Sequence, residues 1–82
     1  MAKTYPWNAS KHAHDIFFRL NRCWLAMQEE TDIETLDRLE RLHNELDDLL
    51  DICQGGGIVW LTGKQFGLAR ECELWAAANR GR

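Results

Sequence analysis

Thr31-Asp32-Ile33-Glu34-Thr35-Leu36-Asp37-Arg38-Leu39-Glu40-Arg41-Leu42-His43-Asn44-Glu45-Leu46-Asp47-Asp48-Leu49-Leu50-Asp51-Ile52-Cys53 is the stretch that decides the fold class. Leu39, Leu42, Leu46, Leu49 and Cys53 are separated by steps of three and four, the spacing that turns one seam of an α-helix toward a neighbour. Leu36 and Leu50 widen the seam. Thr31 to Glu34 fits a capping box, in which a hydroxyl takes a free amide and the glutamate reaches back, so a helix is expected over about 32–54. Gly55-Gly56-Gly57 ends it, because glycine readily takes the left-handed conformation of a helix terminus. Asp37, Glu40, Asp47, Asp48 and Asp51 gather on its flank and back at about 100° per residue.

Working outward, a first helix is expected over about 9–29, after an extended lead at 1–8 in which Pro6 disfavours helix at Tyr5. Asn8 or Ser10 supplies its cap. Its main stripe reads Ala9, Ala13, Ile16, Phe17, Leu20, Cys23, Trp24 and Met27, with Phe18 and Leu25 on a second face. A second capping box, Thr62-Gly63-Lys64-Gln65, opens a third helix over about 63–79, with Gly81 beyond it. Its core face is Leu68, Ala69, Cys72, Trp75 and Ala76, leaving Phe66 and Leu74 off the stripe. Gly57-Ile58-Val59-Trp60-Leu61 reads as an apolar connector packed across the bundle, since a lone strand has no ladder to join. The expected fold is all-α: one helical domain over 1–82, a small three-helix bundle with a Gly-rich apolar connector before the last helix.

Size and composition bound the rest. A chain of 82 residues with 45% apolar side chains is one small folded domain. It buries only about 60% of its unfolded surface, so its stability is marginal unless oligomerisation, a metal or disulfides help. Self-association is therefore expected, a dimer first, through Leu39, Leu42, Leu46 and Leu49 together with the uncovered Leu25, Phe66 and Leu74. No apolar run exceeds five residues, and that of the connector, Ile58 to Leu61, has four, far short of the roughly 20 residues that span a membrane. The N-terminus has no apolar run of signal-peptide length, and the three cysteines are odd in number and widely spaced, which points to the cytoplasm.

The net charge of −3 conceals an asymmetry: residues 1–28 carry +3, residues 55–82 carry +2, and Glu29 to Gln54 hold ten acids against Arg38 and Arg41. One reading of the acidic middle is a solvated face complemented by basic neighbours. The sharper reading is a partner-binding stripe of Asp37, Glu40, Asp47, Asp48 and Asp51, with Phe18 and Trp60 as apolar contacts.

No motif for catalysis stands out. His12 and His14 are about 200° apart on a helix, whereas helical zinc ligands use a spacing of four, and the cysteines read as buried thiols on the helix stripes, so no metal or cofactor is expected. His43 reads as a boundary histidine facing Asp47 at i+4, and the triple glycine lacks the spacing of a nucleotide loop. These observations point to a non-enzymatic regulator or inhibitor of the short, stand-alone kind that phages, plasmids and bacteria encode. It would dock a helical, partly acidic surface on a protein partner. Two alternatives use nucleic acid chemistry: DNA binding through residues 58–80, with Lys64, Gln65 and Arg70 presented to a groove, or an acidic mimic of nucleic acid.

Overall fold

A computed structural model describes residues 3–80. The element order is β1 (Thr4–Asn8), α1 (Ala9–Glu29), α2 (Ile33–Cys53), β2 (Ile58–Thr62) and α3 (Gly63–Arg80). Met1 and Ala2 of the expected lead, and Gly81, lie outside the described residues. The three expected helices are present, but the bundle is not purely helical. β1 and β2 form a two-stranded antiparallel sheet in which Tyr5 pairs with Leu61, Pro6 with Trp60 and Trp7 with Val59. The expectation of a structureless connector at 57–61 is thereby corrected: its ladder is the N-terminal lead, brought back by the α1–α2 hairpin. Alternation of side chains in both strands turns Tyr5, Trp7, Val59 and Leu61 inward and Pro6, Ile58 and Trp60 outward.

Local chemistry sets the boundaries. The Asn8 side chain accepts from the Lys11 amide at 3.1 Å and caps α1. For α2 the cap is Asp32, which accepts from the Thr35 amide at 3.0 Å, so the expected role of Thr31 passes to its neighbour. Thr31 is instead held through its own amide by Glu30. At α3 the capping box forms as expected: Thr62 Oγ1 accepts from the Gln65 amide at 3.2 Å, and Gln65 Oε1 accepts from the Thr62 amide at 3.0 Å. Gly56 and Gly57 take φ of 70° and 72°, and this left-handed pair turns the chain from α2 into β2. The Gly57 carbonyl then accepts from Ala9 at 2.8 Å, which registers the sheet against the start of α1.

The core gathers Trp7, Ile16, Cys23, Leu46, Leu49, Cys53, Leu61, Ala69 and Cys72. All three cysteines are buried, one per helix. Cys23 donates to the Leu39 carbonyl and Arg19 donates to Cys72 Sγ. The leucine seam is spent inside the single chain, with Leu46 and Leu49 fully covered and Leu39 and Leu42 packed against the core. Leu46 and Leu49 therefore leave nothing for a second copy, which corrects their placement at an oligomer interface. The molecule is 19 Å thick in its shortest dimension, about two helix diameters of roughly 10 Å, and α1 and α2 pack along each other as one layer, with α3 packed chiefly on α1.

Candidate partner-binding face

α3 meets both helices of that layer from one side. Its contacts with α1 run through Asp15, Phe18 and Arg19: Asp15 accepts from Arg80, Arg19 reaches Cys72, and the Phe18 ring lies 5.0 Å from that of Trp75. Its tie to α2 is Glu45, 3.3 Å from Lys64 Nζ. Asp15 and Arg19 lie about 60–100° to one side of the core residue Ile16, whereas Phe17 and Trp24 lie about 80–100° to the other. Glu45 precedes the core residue Leu46 by one helical step, whereas Asp47, Glu40 and Asp51 lie about 100–140° round in the opposite sense. Phe17, Trp24, Glu40, Asp47 and Asp51 thus share the side of the α1–α2 layer that faces away from α3.

This face is open. Phe17 is 56% exposed and Trp24 48%, although the helical stripe had assigned both to the core. The stripe is wide enough for two neighbours, and α3 packs on its far side instead. Half-buried Leu36, His43 and Leu50 line the helix between these aromatics and the acids. Glu40, Asp47, Asp48 and Asp51 are all exposed and form no ion pair among the described residues, whereas Asp37 pairs with Arg41 of its own helix at 3.2 Å. Asp48 lies farther round, beside the Lys64–Glu45 pair. Of the basic side chains, Arg41 is taken by Asp37, Arg19 stands near Glu71, Arg70 is on Glu73 and Arg22 lies over the Phe18 ring.

The remaining expected contact residues scatter. Phe18 is half-buried under Trp75 and Arg22, and Phe66 packs on Tyr5 with ring centroids 5.2 Å apart, so neither is the free apolar surface expected of it. Leu25 and Leu74 are exposed, and Trp60 is exposed on the outer face of the sheet. Phe17 and Trp24 are what sequence reasoning missed. Their spacing of seven residues on one flank was the available signal.

His12 joins a different cluster. Its Nδ1 is 3.5 Å from Asp15 and its Nε2 3.5 Å from Glu73, while Glu73 also accepts from Trp7 Nε1 at 2.9 Å and from Arg70 at 2.6 Å. Every member is consumed in joining β1, α1 and α3, and among the described residues no three His, Cys, Asp or Glu side chains converge as a cation site requires. Two concavities, of about 230 and 210 Å³, are lined by Glu45, Lys64 and Leu68 and by Arg19, Leu42 and Trp75. Both fall below the roughly 300 Å³ at which small-molecule sites begin. Lys64, Gln65 and Arg70, the candidate base-reading residues, are engaged by Glu45, Thr62 and Glu73. No helix among the described residues is long and apolar enough to cross a membrane.

Compared with known proteins, the chain matches no family model, no curated protein and no solved structure.

Proposed function

We propose that the chain is a non-enzymatic binding protein, a regulator or inhibitor that docks on a protein partner through the α1–α2 face turned away from α3. One observation carries the reading: Glu40, Asp47 and Asp51 stand exposed with no basic partner among the described residues, on the same side of the α1–α2 layer as the exposed rings of Phe17 and Trp24. A basic amphipathic segment is the complement of that face, its apolar residues on the rings and its lysines or arginines on the carboxylates. Stability gives the acids no reason to be there. Asp51 lies in the last turn of α2, which holds no basic residue, and a negative charge there opposes the helix dipole by about 0.3–1 kcal/mol at low ionic strength. A cytoplasmic location goes with this reading, supported by three unpaired thiols.

The test is a capture experiment from bacterial lysate with wild type, with Phe17→Ala/Trp24→Ala, and with Glu40→Gln/Asp47→Asn/Asp51→Asn, identified by mass spectrometry. A protein retained by wild type, released as salt rises and lost in both variants is the expected result. Retention of the same proteins by all three chains would overturn it. Recovery of a nucleic-acid-binding enzyme would single out the mimic among binding proteins.

A further inference from the structure

We infer that the free edge of β2 pairs with β2 of a second copy, joining two hairpins into one four-stranded sheet, on a surface separate from the acidic face. The Ala9 amide donates to the Gly57 carbonyl at 2.8 Å, which makes 9 and 57 a hydrogen-bonded pair of the antiparallel register. Alternation then makes Trp7–Val59 and Tyr5–Leu61 hydrogen-bonded pairs, and turns the backbone groups of Ile58, Trp60 and Thr62 away from β1. The Thr62 amide is taken by Gln65. The backbone N–H and C=O groups of Ile58 and Trp60 have no partner among the described residues. A row of such groups is a ready template for another extended chain.

The two edges of the sheet are treated differently. On β1 the same register puts Pro6 at an outward position, where it presents no N–H, and Lys3 stands at its start. β2 has neither guard: from Gln54 to Gly63 no residue is charged and none is proline. Its outward side chains are apolar, with Ile58 58% and Trp60 64% exposed. A two-fold arrangement that sets Ile58 of one copy opposite Trp60 of the other satisfies all four free groups of each edge. It also stacks an aliphatic side chain on an indole twice, the kind of cross-strand contact that stabilises antiparallel pairs. The occupant is a second copy because the edge is its own complement under that axis. The pairing also extends a hairpin which, as two strands alone, is close to the minimum that persists in water.

Sedimentation equilibrium of the full chain tests this, with hydrogen exchange read at the Ile58 and Trp60 amides. The expected result is a species of twice the 9.6 kDa chain mass at high concentration. Exchange at those two amides should slow as concentration rises, while the Val59 amide, already inside the hairpin, should not change. Trp60→Lys and Trp60→Thr, at an exposed site, should each yield a monomer with unchanged helical circular dichroism; threonine guards against loss of the strand itself. A 9.6 kDa species at every concentration, or a dimer that survives both substitutions with the Ile58 and Trp60 amides exchanging freely, would overturn the pairing.

Discussion

The indole N–H of Trp7, in the first strand, donates to Glu73 Oε1, in the last helix, at 2.9 Å across 66 residues of sequence. Trp7 is buried, so the carboxylate is what lets its polar edge enter the core. Glu73 is held in turn by Arg70 at 2.6 Å. Replacing Glu73 by leucine leaves a buried donor unpaired and should cost about 1–3 kcal/mol, with glutamine milder because its amide oxygen can still accept. Urea denaturation of the two variants checks this through the order of their midpoints.

At the α2–β2 turn the three glycines are not equivalent. Gly57 has φ of 72° with open space around a would-be Cβ, so Gly57→Ala should cost about 1–2 kcal/mol from backbone strain alone. A Cβ at Gly56 carries the same strain and would also meet Ser10 Oγ at 3.1 Å, so Gly56→Ala should be the worst of the three. Gly55 has neither positive φ nor a neighbour, and Gly55→Ala should be neutral or stabilising by up to about 1 kcal/mol. Thermal melts in parallel give the ranking.

Burial pushes the thiols of Cys23, Cys53 and Cys72 above the ordinary thiol range near 8.5, with Arg19 pulling back at Cys23 and Cys72. A group whose folded pKa is raised contributes stability that is complete below its unfolded value and is lost as pH climbs through the folded one. Stability should therefore decline above about pH 8.5. At neutral pH, labelling by an aromatic disulfide reagent should proceed at the rate of opening; fast labelling of native protein would show the thiols are not enclosed.

Asp32 behaves in the opposite sense. Hydrogen bonds from the Thr35 hydroxyl and amide lower its carboxyl below the usual range, so its capping contribution is full above that range and fades as pH falls through the lowered value. Asp32→Asn keeps an acceptor at the cap and should remove this share of acid destabilisation, whereas Thr31→Ala should leave the acid profile unchanged. Acid titration followed by circular dichroism distinguishes the two residues.

Much of the architecture is legible in one dimension because it is local. The caps at Asn8 and Thr62, the glycine terminator and the period of the leucines each lie within a few residues of what they control. The sheet is not local: β1 and β2 are five-residue strands separated by two whole helices, and either one alone has nothing to pair with. Phe17 and Trp24 fall to the same limit. Periodicity gives their flank of α1 but not the side from which α3 arrives, and α3 is placed by distant ties such as Arg19 to Cys72 and Trp7 to Glu73. The acids of α2 are readable as a stripe, yet only the packed chain shows which of them keep a partner.

The account turns on whether Glu40, Asp47 and Asp51 serve binding rather than the fold. The most direct measurement pairs the melting temperature of Glu40→Gln/Asp47→Asn/Asp51→Asn with its retention of the partner captured by wild type, at low and at molar salt. The two readouts should separate. Removing like charges near the C-terminal end of α2 should hold or raise the melting temperature, while retention falls to what wild type shows at molar salt, where the screening length is about 3 Å. Retention equal to wild type at low salt, with any melting temperature, would contradict the claim.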